Sequence, residues 1–341
     1  MEPILRVEHL STEIPTKRGP LMAVRDVSFE LQQGEMFGLV GESGSGKSMT
    51  CRSILQLVPK PGRITGGQII YGNRDLARMA ARDMEQIRGK EISMIFQDPT
   101  IVLDPVMKIG EQITEVLVAH RVTSRRQSVD KAVELLRLVG IPDPERRLGS
   151  YPHEFSGGMC QRVVIAIALA CEPRVILADE PTTALDVTIQ DQILKLISDL
   201  QTRLNLSVML ITHNLGVVAQ SCQRVAVMYA GMIMEMATTE ELFAAPRHPY
   251  TLGLLNCVPR LDANGVAQRI EPIPGQPPDL VKPPSGCPFH PRCPLATAEC
   301  MSGEFPLREV SPGHFSECIK HEQLERTTDI WNTLGETVTA P

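Results

Sequence analysis

Eight residues near the front of the chain, "GESGSGKS" at 41–48, restrict the fold more than any other stretch. They fit the pattern G-x-x-x-x-G-K followed by Ser or Thr. An apolar, β-rich run, "EMFGLV", precedes them, and a helical pattern from Lys47 to Val58, stopped by "PKPG", follows. Strand, glycine loop and helix in that order build a phosphate-binding loop in an α/β protein. Gly41, Gly44 and Gly46 let the backbone curl so that its amides face an anion. The helix opening at Lys47 adds its positive end. Lys47 supplies a point charge to the β- and γ-phosphates of a nucleotide, and Ser48 a hydroxyl to Mg2+. The candidate nucleotide contacts are Gly41, Ser43, Gly44, Ser45, Gly46, Lys47, Ser48 and Met49.

The rest of the chain follows the same architecture. Residues 4–40 hold short β-rich runs broken at Gly-Pro and Gln-Gly. Residues 106–140 read as helical with a polar interruption at "HRVTSRRQ". A helix over about 157–171 leads to a buried strand, "RVILAD", a helix over about 187–204 and a second buried strand, "SVMLITH". Apolar strands alternating with helices give a parallel sheet. The strand "VILADE" ends on Asp179 and Glu180. An acid at the tip of a buried strand is costly unless it meets water or a cation, so Asp179 is expected to hold Mg2+ and Glu180 to polarise the attacking water.

Composition narrows the classes. The 341 residues suggest about two domains. A net charge of −6 does not favour a nucleic-acid partner. The opening "MEPILRVEHL" does not read as a secretory leader. The longest apolar run, "VVIAIALAC", has roughly half the length a membrane span needs. Beyond about residue 240 prolines crowd in and helical periodicity fades, which places a domain boundary near 240–245.

"EFSGGMCQR" at 154–162 carries a family resemblance. Ser156, Gly157 and Gly158 resemble the signature of ATP-binding cassette (ABC) ATPases. Gln97 in "IFQDP" matches that family's Q-loop, Asp186 closing "TTALD" its D-loop, and His213 in "ITHN" its switch histidine. "LDPVMKIGEQI", "DEPTTALDVTIQ", "HPYTLGLL" and the C-terminal cysteines extend the resemblance to the oligopeptide/dipeptide permease branch. It implies an ABC-type nucleotide-binding domain over residues 1–242, with a parallel-sheet core, an antiparallel β subdomain and a helical signature subdomain. A small irregular Cys/Pro-rich domain would follow over 243–341. It also implies that Ser156, Gly157 and Gly158 bind the partner cassette's ATP and that Asp186 communicates across the dimer. Gln97 would touch Mg2+ and the water, and His213 the γ-phosphate; catalysis would rest on Glu180, His213 and Gln97. The implied partners are two transmembrane permease subunits, a second ABC ATPase and an extracytoplasmic solute-binding protein, with the chain peripheral on the cytoplasmic face of the inner membrane.

Three positions depart from the pattern. Ile14 stands where the family places an aromatic against adenine, Phe155 replaces a leucine, and Asn214 replaces an aspartate. None removes a catalytic group.

Cys287, Cys293, Cys300 and Cys318 follow C-x5-C-x6-C-x17-C. Four cysteines are the number an iron–sulfur (4Fe-4S) cubane needs. Zinc, with His290 and His314 nearby, and reduced free thiols remain open alternatives. The remaining cysteines are scattered and expected to pack as small hydrophobes. The resemblance implies an ATP-hydrolysing motor for dipeptide or oligopeptide import. The alternative is a non-transport ABC ATPase acting on nucleic acid or ribosomes; it is opposed by the single cassette and the absence of a basic arm.

Overall fold

In a computed structural model of the chain, described for residues 2–183, 185–258 and 272–324, two long strands come first. They are β1 (Leu5–Thr16) and β2 (Gly19–Leu31). Each begins with one alternation of buried and exposed residues and ends with the other. The shift falls at His9 in β1 and Asp26 in β2, which take positive φ of 52° and 50°. The two irregularities face each other: His9 Nδ1 lies 2.6 Å from Asp26 Oδ1, and the His9 amide donates to Ser28 Oγ at 2.8 Å. Paired bulges of this kind add twist without losing the buried face.

The chain continues through β3 (Met36–Val40), α1 (Lys47–Ile54), β4 (Arg63–Tyr71), β5 (Arg74–Asp75), α2 (Ala81–Met84) and β6 (Ile92–Ile95). Then come α3 (Pro99–Val102), α4 (Ile109–Ala119), α5 (Ser128–Leu138), α6 (Pro144–Arg147), α7 (Gly157–Leu169), β7 (Val175–Asp179), α8 (Val187–Leu204) and β8 (Ser207–Thr212). The last elements are α9 (Leu215–Ser221), β9 (Arg224–Tyr229), β10 (Met232–Thr238), α10 (Thr239–Ala244), α11 (Pro249–Asn256), β11 (Arg308–Ser311), β12 (His314–Ser316) and α12 (His321–Leu324). Two expectations fall partly outside the described residues: Ala184 of "TTALD", and the stretches 259–271 and 325–341 of the C-terminal region.

Two interleaved units divide the chain. One takes Glu30–Met36, Ile70–Ile211 and the described residues of Met1–Leu5. Its sheet is parallel, with Ile92 paired to Val175 and Ile176 to Val208. Every residue of β6, β7 and β8 is buried, as strands covered on both faces require. Helices α4, α5 and α7 pack on one another, and α7 also packs on α8.

The other unit takes Arg6–Phe29, Phe37–Ile69 and the described residues of Thr212–Pro341. Here β1 lies between β2 and β4, while β3 pairs parallel to β9, which pairs antiparallel to β10. The C-terminal hairpin joins the same sheet: Glu235 of β10 faces Ser316 of β12, which pairs with β11.

The expected loss of helix beyond residue 240 is corrected by α10 and α11. Both are short and held by caps. Thr238 Oγ1 accepts from the Glu241 amide at 3.3 Å, and His248 Nδ1 from the Tyr250 amide at 3.0 Å, with Pro249 at the first helical position. Helix α11 buries Tyr250, Thr251, Leu252, Gly253 and Leu255 on all sides, so it shows no amphipathic period. Tyr250 packs in a fully buried cluster with Tyr229 and Phe289, the rings tilted or edge-on with centroids 4.6–5.3 Å apart.

His248 is 1% exposed, and burial pushes its imidazole down to about 3. Its unfolded value is near 6.5, so the folded chain binds fewer protons and loses stability as pH falls below about 6.5. Denaturant unfolding should show about 2 kcal/mol less stability at pH 5 than at pH 7 from this residue alone. His248→Asn, which keeps an acceptor near the Tyr250 amide, should remove that part of the pH dependence.

Candidate functional site

The phosphate-binding loop follows β3, whose five residues are all buried. Gly41, Gly44 and Gly46 take φ of 154°, 78° and 108°. A Cβ on Gly41 would stand 2.1 Å from the Met228 carbonyl, and one on Gly46 2.4 Å from that of Ala23. A Cβ on Gly44 would meet nothing within 4 Å, so its glycine is needed for backbone freedom rather than space. Ser43 and Gly44 form the exposed tip; Ser45 and Lys47 are buried beneath it, with Ser48 and Met49 half-buried. Lys47 Nζ donates to the carbonyls of Gly41 at 2.8 Å and Glu42 at 2.9 Å. Gly46 caps α1 without a side-chain bond, and the first turn carries no acid. A helix dipole and a lysine at one glycine-lined loop fit an anion such as a nucleotide's phosphates.

In the other unit, Asp179 ends β7 and is 2% exposed. Glu180 follows with φ of 46°, a left-handed conformation that a non-glycine residue holds only when its surroundings impose it. Its amide donates to the Ile211 carbonyl at 3.0 Å. Its Oε2 accepts from Gln97 Nε2 at 3.3 Å and Thr183 Oγ1 at 2.8 Å. The expected catalytic pair, Gln97 and Glu180, is thus in contact, and Thr183, which the sequence did not single out, orients the carboxylate.

Ser156 caps α7, accepting from the Met159 amide at 3.3 Å. Asp186 caps α8, accepting from the Ile189 amide at 3.0 Å. These two segments pack closely: a Cβ on Gly158 would come 2.6 Å from Ile189 Cγ2, and one on Gly157 3.3 Å from Leu185 Cδ2. The glycines of "SGG" therefore serve close helix approach.

The three departures have local explanations. Ile14 lies over the Pro59–Gly62 turn, its Cγ1 3.2 Å from where a Gly62 Cβ would stand. Phe155 carries the Arg147 guanidinium 5.4 Å from its ring centre. Asn214 follows the exposed His213 and caps α9, accepting from the Gly216 amide at 2.9 Å. An asparagine retains that cap without the charge.

Cys287, Cys293, Cys300 and Cys318 line a single cavity of about 20 Å³ together with His248, His290 and Glu317. Burial pushes the thiols of Cys287, Cys293 and Cys318 up to about 12. The amides of Phe289, Leu295 and Lys320, each two residues on, donate to those sulfurs and favour their thiolates. His248 accepts at Nδ1, so its proton sits on Nε2, which has no protein partner. The four thiols thus share one small cavity, with backbone amides aimed at three of them. Among the described residues, no group of three His, Cys, Asp or Glu side chains is arranged to hold a metal, so the expected iron–sulfur and zinc sites at these cysteines are not seen. His314 is committed elsewhere: its Nε2 lies 2.7 Å from Glu235 Oε1.

Sequence reasoning also missed Glu42, Tyr250 and Arg292, which join through contacts described below. Nothing local marks them, because their partners are distant in the chain.

The ABC transporter family profile matches residues 24–183. A second profile, oligopeptide/dipeptide transporter, C-terminal region, matches residues 234–300. The dipeptide transport ATP-binding protein DppD of Bacillus subtilis (strain 168) is 52% identical over 325 residues, 95% of this chain and 96% of that protein. The oligopeptide transport ATP-binding protein OppD of Escherichia coli (strain K12) is 46% identical over 317 residues, 93% of each chain. Among solved structures, the dimeric post-hydrolysis state of the ATP-binding cassette MJ0796 bound to ADP and Pi aligns with a TM-score of 0.62 at 26% identity, over 69% of this chain and 98% of that one. By its two profile matches and its end-to-end relatives, the chain belongs to the ABC transporter family, in the branch that carries the oligopeptide/dipeptide transporter C-terminal region.

Proposed function

We propose that this chain is the ATP-hydrolysing motor subunit of an importer of dipeptides or oligopeptides. The observation that carries the reading is identity of 52% over 95% of the chain with a dipeptide transport ATP-binding protein, which spans the cassette and the C-terminal region alike. The intact set Lys47, Asp179, Glu180 and His213 supports hydrolysis rather than nucleotide storage.

In this reading Lys47 and the loop amides bind the β- and γ-phosphates. Ser48, Gln97 and Asp179 would hold Mg2+, whose charge would offset that of the phosphates. Glu180 polarises a water for attack and accepts its proton, with Gln97 and Thr183 keeping the carboxylate aimed. His213 holds the γ-phosphate. Ser156, Gly157 and Gly158 present the start of α7 to the nucleotide of a second cassette, and Asp186 lies at that interface. ATP-dependent closure of two such cassettes would drive two membrane subunits between inward- and outward-facing states, with an extracytoplasmic binding protein delivering cargo. The chain would then sit peripherally on the cytoplasmic face of the inner membrane. Residues 1–242 form the nucleotide-binding domain and 243–341 the C-terminal extension in this proposal.

The four cysteines are assigned to a 4Fe-4S cluster. The support is their shared cavity and the amides aimed at three of the sulfurs. The cluster would supply binding energy to a segment poor in regular structure, where no α-helix or β-strand lies between Asn256 and Arg308 among the described residues. Zinc remains the competing occupant.

Three measurements test these assignments. ATP turnover by the chain should rise when it is reconstituted with its membrane subunits and peptide-loaded binding protein; a salt-resistant complex with ribosomes or DNA instead would overturn the importer reading. Glu180→Gln should lower kcat by at least about a hundredfold while ATP binding persists, as expected for loss of a general base. Turnover at the unmutated rate would remove Glu180 from that role. Anaerobically purified protein should contain about four irons and four sulfides per chain, with visible absorption lost in Cys287→Ser. Zinc, or no metal, would overturn the cluster.

A further inference from the structure

Arg292 immediately precedes Cys293, and its guanidinium reaches back to the phosphate-binding loop. Nη1 donates to Glu42 Oε2 at 2.7 Å and Nη2 to Glu42 Oε1 at 3.0 Å, a two-pronged pair. The other donations go to the carbonyls of Pro274 at 2.9 Å and Ile273 at 3.3 Å, and to the Tyr229 hydroxyl at 3.3 Å. The arginine side chain is 5% exposed and the glutamate 24%. Burial weakens the charge on Arg292 most, but its bonds to Glu42 and the Tyr229 hydroxyl together outweigh burial and hold its pKa above the ordinary value.

Glu42 is gripped at a second point. Its amide donates to the Tyr250 hydroxyl at 2.9 Å, and Tyr250 is fully buried. Its carbonyl in turn accepts from Lys47 Nζ. One residue of the loop is therefore fixed at its side chain by Arg292 and at its amide by Tyr250, and itself supports the lysine.

We propose that Arg292 and Tyr250 are positioning residues of the nucleotide site: by fixing Glu42 they set the curl of the phosphate-binding loop and the resting place of Lys47. The proposal rests on the ATPase reading. A loop with three glycines at positive φ has many conformations to lose when it closes on phosphate. Holding it in one conformation beforehand lowers that cost and tightens binding. Stability alone does not explain the pair, since a buried ion pair is often no more stabilising than apolar residues of similar size. Its two-pronged geometry does explain why an arginine stands there, because a lysine makes no such fork. The C-terminal segment that carries the cysteines is on this view part of the ATP site.

The test uses the full chain and measures ATP affinity, steady-state kinetics and amide hydrogen exchange of residues 41–49 without nucleotide. Arg292→Met and Glu42→Gln should each weaken ATP binding about ten- to a hundredfold, the loss expected for a charge-assisted hydrogen-bonded pair. KM should rise while kcat stays within about twofold, the signature of lost ground-state binding. The double variant should bind no worse than the weaker single one. Arg292→Lys should recover only part of the affinity. Loop exchange should speed up while β6, β7 and β8 keep their protection. Should Arg292→Met fail to fold, Tyr250→Phe removes one hydroxyl and should still speed loop exchange and raise KM. Unchanged affinity and exchange in folded variants, or losses that multiply in the double variant, would overturn the proposal. Failure of the unmutated chain to bind ATP would instead sink the ATPase reading beneath it.

Discussion

Lys47 is 4% exposed, and a buried ammonium must be met by acceptors. It is met by the carbonyls of Gly41 and Glu42, and the site's geometry depends on that contact. For those carbonyls to turn inward, Gly41 must lie against the Met228 carbonyl with no side chain between them. That carbonyl belongs to β9, which pairs with β3, the strand that delivers the loop. The Gly231 amide returns the contact by donating to the Ser45 carbonyl at 2.8 Å. The loop is thus pressed into shape by its neighbouring strand as well as by its own glycines. A glycine run without that neighbour would be an ordinary flexible turn.

The other unit solves a different problem with the same tools. A carboxylate at a strand tip must be held in one direction. Glu180 receives two neutral donors, Gln97 and Thr183. It also sits in a left-handed backbone conformation that turns the chain away from the axis of β7. Close by in function, α7 and α8 approach through Gly158 and Ile189, each helix capped by its own motif residue, Ser156 and Asp186. One side chain at each of these positions both ends a loop and starts a helix.

Several elements were legible in the sequence because their causes are local. The bounds of α8 and β8 follow from the residues themselves: a capping aspartate before "VTIQ" and an unbroken apolar strand. The cysteines shared one cavity as their clustering suggested. The irregularities at His9 and Asp26 were not legible, since the partners of each stand on the other strand, with the two residues themselves 17 apart in the chain. Helix α11 was missed because burial on every side erases the amphipathic pattern by which helices are recognised.

By itself, the sequence determined the chemistry: glycines, a lysine, paired acids, a signature serine and a histidine at spacings that suit nucleotide phosphates. Those requirements are met within a few residues, so spacing reveals them. Only the tertiary structure decided how the loop is held. Glu42 and Arg292 are 250 residues apart, and Glu42 and Tyr250 are 208 apart. Neither pair is marked by any local pattern, because an ion pair closed by folding depends on where the chain returns and not on what stands beside each partner.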